Sequence, residues 1–154
     1  MVRIQREDFD AGAEIALLRA NDPRIGAVAS FIGVARDRND GAAVATMTLE
    51  HYPGMTEAVL EQIVAQAKSR WSVYEILVIH RIGALKPVDQ IVLVVVTSAH
   101  RGEAFAACEF VMDYLKTEAP FWKREATASG EHWVEARESD DAARSRWSDG
   151  KARR

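Results

Sequence analysis

Lys116 and Lys123 are the side chains of this sequence with the most to offer chemically. The first closes a helical pattern ahead of Pro120, and the second sits in the strand-like pattern that follows it. If the fold brings both amines into one pocket, mutual repulsion and partial burial favour a neutral amine, available as base or nucleophile. Each also has a plainer explanation. A lysine in the last turn of a helix complements the helix dipole, and a lysine after a turn is ordinarily solvated surface. The spacing permits convergence without requiring it.

Anion chemistry has separate candidates. Thr97-Ser98-Ala99-His100-Arg101 joins a strand end to a helix start, where free N–H groups and partial positive charge accumulate. His100 and Arg101 oppose that field unless an anion lies close by, and a phosphate would satisfy all of these groups together. The alternative is a neutral His100 with Glu103 offsetting Arg101 inside the first turn. Arg36 ends the apolar run Ser30–Ala35 and either offers its planar fork to a phosphate or is simply solvated. Arg137, after Trp133-Val134-Glu135-Ala136, is a weaker candidate of the same kind. Cys108 lies on the apolar face of its helix and reads as core filling. His51, His80 and His132 have no metal-ligand spacing, and Gly33 and Gly83 belong to no phosphate loop, so neither a metal nor a cofactor is expected.

The elements that must position these groups can be traced along the chain. Asp10 caps a short helix through Ala20, stopped by Asn21-Asp22-Pro23. Ile25–Ala35 predicts a buried strand, and Asp40-Gly41 turns it back into the alternating strand Val44–His51. Pro53-Gly54 leads into a helix over about Thr56–Arg70, with Val59, Leu60, Ile63, Val64 and Ala67 on one face. Strands follow at Tyr74–Ile82 and Ile91–Thr97, separated by a turn at Lys86-Pro87-Val88-Asp89. The second main helix covers about Ala99–Lys116, with Phe105, Cys108, Val111, Met112 and Leu115 on its buried side. Two short strands, Trp122–Ala126 and His132–Ala136, pair across Ser129-Gly130. Several connections look like hairpins, which predicts an α+β fold, a two-layer sandwich of largely antiparallel sheet with two main helices. The tail from Glu138 to Arg154 is polar and expected to fray.

The totals restrict what such a fold can do. The chain has 154 residues, 48% of them apolar and 28% charged, and suits a single globular domain. A net charge of −3 gives no bulk attraction for nucleic acid, so any anion site must be a local cluster. With one cysteine, Cys108, there is no internal disulfide and no CxxC redox pair. The N-terminus lacks the apolar stretch of a secretory signal, and the aliphatic run Ile91–Val96 is too short for a bilayer, so a soluble cytoplasmic protein is expected, without membrane partners.

Taken in order, SFIGVAR (Ser30–Arg36), LEHYPGMTE (Leu49–Glu57), VIHRIG (Val78–Gly83), TSAHRGEAFAAC (Thr97–Cys108), MDYLKTEAPFWKRE (Met112–Glu125) and WVEAR (Trp133–Arg137) resemble the large, catalytic subunit family of molybdopterin synthase. The resemblance runs from about Gly26 to Arg137. It implies an α/β-hammerhead-like domain over 1–137 and a polar tail over 138–154. It also implies a sulfurtransferase of molybdenum cofactor biosynthesis, built as a homodimer within a heterotetramer. Each large subunit would bind a small ubiquitin-like sulfur carrier ending in a glycine thiocarboxylate, and two sulfur transfers would convert cyclic pyranopterin monophosphate to molybdopterin. Lys116 and Lys123 match the family's active-site lysines. They share substrate binding with positions matching Val34, Ala35, Arg36, His100, Arg101, Arg124 and Glu125.

One departure is the turn Pro87-Val88-Asp89-Gln90, where the family often has Gly then Glu in place of Asp89 and Gln90. Asp89 is expected to tolerate positive φ there, and the turn lies far in sequence from the lysines. Two other readings stay open at this level. One is a phosphometabolite lyase or transferase that uses the lysine pair alone. The other is a non-catalytic dimeric module that binds a phosphorylated pterin or the carrier protein.

Overall fold

A computed structural model of the chain describes residues 1–39, 42–127, 130–134 and 138–148. Asp40, Gly41, Ser129 and the Glu135–Arg137 stretch, including the candidate Arg137, lie outside the described residues. The element order is β1 (Val2–Gln5), α1 (Ala11–Arg19), β2 (Ala27–Val34), β3 (Arg38–Asn39), β4 (Ala42–His51), α2 (Met55–Arg70), β5 (Val73–Arg81), β6 (Gly83–Leu85), β7 (Gln90–Ser98), α3 (Arg101–Glu118), β8 (Phe121–Thr127), β9 (Gly130–Val134) and α4 (Glu138–Ser145). The α+β class and the largely antiparallel pairing agree with the sequence reading. One pair is parallel: β1, unforeseen because it spans only four residues, joins β5.

The main sheet has the order β1-β5-β7-β2. Strand alternation gives β5 and β7 two buried faces. Ile76, Val78, Val92, Val94 and Val96 face α2 and α3, while Leu77, Ile79, Leu93 and Val95 pack with Phe9 and the inner side of α1. Each fully buried aliphatic side chain of this kind contributes about 1.5–3 kcal/mol. Asp10 caps α1 as expected, its carboxylate accepting from the Ala13 N–H at 3.0 Å.

The second sheet has the order β3-β4-β8-β9, with β6 also paired to β4. Its inner face supplies Met47, Leu49 and Leu85, which form a small core with Ala35 at the end of β2. At Gly33 the β2–β7 register shifts, and an added Cβ would lie 2.7 Å from the Val92 side chain. Only glycine fits that approach, and the bulge re-aims the strand end that carries Val34–Arg36.

Four expectations change. The β2 strand is an edge strand, with Phe31 at 42%, Ile32 at 38% and Val34 at 46% exposure, because among the described residues no strand pairs with it other than β7. Phe105, expected on the buried side of α3, is exposed, since the packed arc of that helix is centred on Ala104, Ala107, Cys108 and Val111. In the turn before β7 the positive φ falls on Val88, at 72°, and not on Asp89. Asp89 instead accepts the Lys86 N–H on its carboxylate at 2.9 Å.

The fourth change concerns the tail. Glu138–Ser145 is helical, and Trp147 is buried. Its ring meets Trp71 at 5.4 Å and Phe110 at 5.6 Å in edge-on contacts, and its Nε1–H donates to Asp113 at 2.7 Å. One tryptophan in a polar segment gives no periodic signal, so composition misread the segment as frayed. Trp147→Ala should therefore lower the free energy of unfolding by about 3–5 kcal/mol, the usual cost of emptying a buried aromatic site. Denaturant titration checks this, and a frayed tail would leave the midpoint unmoved.

Candidate functional site

The end of β2, the last turn of α3 and the inner face of β8 enclose a cavity of about 340 Å³. Val34, Ala35, Arg36 and Arg38 line one side, Lys116 and Ala119 another, and Phe121, Lys123 and Glu125 a third. Pairing fixes this arrangement. Leu49 lies opposite Lys123 and Met47 opposite Glu125, so strand alternation sends both charged side chains to the cavity side of the sheet. Both lysines thus reach one space, although α3 and β8 are different elements.

Charge in the cavity is organised. Lys123 Nζ lies 3.0 Å from Glu125 Oε1, and the Glu125 side chain is only 8% exposed. The second lysine is thereby held by a buried carboxylate and not left to repel the first. Arg36 and Arg38 are exposed at the mouth, and the floor is Leu85, Leu115 and His80. The turn before β7 also belongs here. Pro87 lines the cavity, the Ala35 N–H donates to Asp89 O, and the Val88 N–H donates to Ala35 O, both at 2.8 Å. A segment remote in sequence therefore holds the backbone beside Arg36.

His80 is the floor residue that sequence spacing did not single out. Its ring stacks on Phe121 at 3.8 Å, and Nδ1 lies 2.8 Å from the Arg81 carbonyl. A carbonyl only accepts, so Nδ1 carries the proton and Nε2 keeps a lone pair. Burial pushes its pKa down to about 4, with the nearby charges of Lys116 and His51 acting in the same direction and the Arg81 carbonyl opposing. The available signal was parity: Ile76, Val78 and His80 share one strand face, and a histidine ending an apolar face is a floor residue.

The sequence profile of the MoaE protein family matches residues 4–118. The chain belongs to that family. Among its relatives, the molybdopterin synthase catalytic subunit of Ralstonia nicotianae is 65% identical over 146 residues, covering 95% of this chain and 83% of that protein. The solved structure of a molybdopterin biosynthesis MoaE protein from Burkholderia ambifaria superposes with a TM-score of 0.83 at 58% identity, covering 96% of this chain and 97% of that one. Molybdopterin synthase from Staphylococcus aureus gives a TM-score of 0.80 at 29% identity, over 86% and 96% of the two chains.

Of the positions expected to form the site, Val34, Ala35, Arg36, Lys116, Lys123 and Glu125 line the cavity. Arg124 alternates to the opposite face of β8, where it pairs in register with Thr48. His100 and Arg101 sit exposed at the start of α3, about 22 Å along the helix from Lys116 at 1.5 Å per residue. Glu103 does not take up Arg101 there; its carboxylate accepts the Ser72 N–H at 3.2 Å. Arg38, His80 and Asp140 line the cavity without having been singled out from sequence. Among the described residues no helix is long and apolar enough to cross a membrane.

A depressed histidine pKa is also a statement about stability. The unfolded imidazole binds its proton at about 6.5 and the folded one only near 4, so stability falls as pH drops through that window. The loss amounts to about 3 kcal/mol at most. Titrating carboxylates contribute over the same range, so the informative comparison is His80→Phe, which keeps a ring against Phe121. Between pH 6.5 and 4 its unfolding free energy should vary less than that of the wild type by about that amount, as measured by urea titration at each pH.

Proposed function

We propose that this chain is the catalytic subunit of a molybdopterin synthase acting in the cytoplasm. It converts cyclic pyranopterin monophosphate to molybdopterin by two sulfur transfers from the thiocarboxylated C-terminus of a small ubiquitin-like carrier. The observation that carries this reading is the meeting of Lys116, Lys123 and Glu125 with Val34–Arg36 around one cavity. A pure binding module for a phosphorylated pterin would need the arginines but not a pair of amines beside them.

The chemistry follows from the groups present. Arg36, with Arg38 beside it, offers guanidinium forks to the phosphate at the cavity mouth. Each transfer forms a carbon–sulfur bond on the pterin side chain as a carbon–oxygen bond at the same carbon breaks, its oxygen leaving with the phosphate ester or as water, and breaks the acyl–sulfur bond of the carrier. Water supplies the oxygen with which the carrier leaves as a carboxylate. Lys116 assists the attack, and Lys123, fixed by Glu125, provides acid–base or electrostatic help. The chain does not store the sulfur itself: Cys108 is buried, and burial pushes its thiol up to about 12, so it stays protonated and unreactive. The donor is therefore a second protein.

His100 and Arg101 cannot reach the cavity of their own chain, and a homodimer resolves this. The β2 strand runs from Ala27, opposite Ser98 beside the start of α3, to Val34, opposite Gln90 at the cavity. Two copies pairing antiparallel along their free β2 edges, about a twofold axis near Phe31, would lay the Ala27 end of one against the Val34 end of the other. His100 and Arg101 of the second copy would then face this chain's Arg36. The same contact would cover the exposed Phe31, Ile32 and Val34 and remove an open sheet edge. Two cavities with one carrier each give a heterotetramer.

Two experiments test these claims. Purified chain with the pterin precursor should yield dithiolene product only when thiocarboxylated carrier is added; product without carrier would refute the reading. For the dimer, Lys116→Ala and Arg101→Ala preparations should each be deficient, yet regain activity when mixed and allowed to exchange subunits. In a mixed dimer one cavity carries both changes and the other carries neither, so about a quarter of the wild-type rate should return. No recovery would place Arg101 with the Lys116 of its own chain, or outside the site.

A further inference from the structure

The segment linking the two lysines is short and nearly rigid. The α3 helix ends at Glu118 and β8 begins at Phe121, so only Ala119 and Pro120 lie between a helix that carries Lys116 and a strand that carries Lys123. The pyrrolidine ring fixes φ of Pro120. Ala119, preceding a proline, is confined to extended backbone and has φ −70° and ψ 126°. The one soft torsion left in the connection is ψ of Pro120, which sets where the Pro120 carbonyl points and the direction in which β8 departs.

That carbonyl is held by Thr56. The Thr56 hydroxyl donates to Pro120 O at 3.0 Å and accepts the Tyr52 N–H, also at 3.0 Å. Thr56 is wholly buried in the first turn of α2, and its own N–H donates to Tyr52 O at 2.9 Å. The turn that presents it is anchored in its own right. Glu57 accepts the Gly54 N–H at 2.6 Å and lies 3.2 Å from His51 Nε2, and His51 is in register with Phe121, the first residue of β8. Thus a residue of the Leu49–Glu57 segment, remote in sequence from both lysines, holds the last soft torsion between them, together with the Phe121 N–H, which donates to Ala119 O at 2.9 Å across Pro120.

We propose that Thr56 is a positioning residue for the lysine pair: by hydrogen bonding Pro120 O it sets the placement of Lys123 relative to Lys116. This rests on the reading of Lys116 and Lys123 as the reacting amines. Thr56 touches no substrate. Its effect therefore falls on turnover more than on precursor binding, because reacting groups displaced by about 1 Å lose on the order of 10²-fold in rate.

The test compares Thr56→Val, which keeps the side-chain shape and removes the hydroxyl, with Thr56→Ser, which keeps the hydroxyl. Both are assayed as full-length protein with saturating thiocarboxylated carrier and pterin precursor, well below their melting temperatures. Ile63→Val, a buried change in α2 away from Pro120, serves as the stability control. Thr56→Val should lower the single-turnover rate about tenfold or more with little change in precursor affinity. Thr56→Ser should recover most of that loss, and Ile63→Val should keep the wild-type rate. If Thr56→Val does not fold, Pro120→Gly frees both torsions of the same peptide and should show the same loss. A wild-type rate in Thr56→Val or, failing its folding, in Pro120→Gly overturns the proposal, as does a Thr56→Ser variant as slow as Thr56→Val. A wild-type rate in Lys116→Ala, run alongside, would instead overturn the reading on which it rests.

Discussion

Burial of β7 on both faces is the constraint from which the rest of the site follows. Val92, Val94 and Val96 pack toward α2 and α3, and Leu93 and Val95 pack toward α1, so the strand cannot slip by one residue without exchanging two cores. Its fixed register determines where the candidate residues at both of its ends are placed. At one end Val88 and Asp89, in the turn before Gln90, hold Ala35, and with it Arg36, by paired backbone hydrogen bonds. At the other, Ser98 hands the chain to α3, whose eighteen residues carry Lys116 back toward the cavity. The helix thus returns the chain to the end of the sheet where β2 stops.

That path explains why the candidates divide as they do. Lys116 and Arg36 meet because α3 runs back along the sheet, while His100 and Arg101 stay at the far end because they begin the same helix. In the homodimer proposed above, His100 and Arg101 would instead reach the cavity of the second copy. Within the cavity, Lys123 has a buried carboxylate beside it, and the charge of Lys116 acts on the neutral imidazole of His80.

Much of this was legible in the sequence for identifiable reasons. The main helices and the strands of the large sheet announced themselves through period and apolar runs, and Cys108 as a core residue followed from its helical face. Lys116 and Lys123 could be paired as an expectation, but the Leu49–Lys123 register that brings them together is a long-range fact with no local signature. The short strands β1, β3 and β6 are too brief to show alternation. Trp147 was hidden because a single residue has no periodicity, His80 was marked only by its parity with Ile76 and Val78 on one face of β5, and the role of the Pro87–Gln90 turn was hidden because distance along the chain says little about distance in space. Thr56 was invisible for the same reason: its partner, Pro120, is 64 residues away.

The measurement closest to the centre of this picture is a single-turnover reaction that follows the carrier by intact mass. Wild-type chain or Lys116→Ala is mixed with precursor and saturating thiocarboxylated carrier, and conversion of the thiocarboxylate to a carboxylate is timed. A catalytic Lys116 requires that the variant melt within a few degrees of the wild type and bind carrier normally, while conversion slows about 10²-fold or more, the scale of a lost acid–base group. Conversion at the wild-type rate would contradict it, and would leave Lys116 as a helix-end lysine that complements the α3 dipole and nothing more.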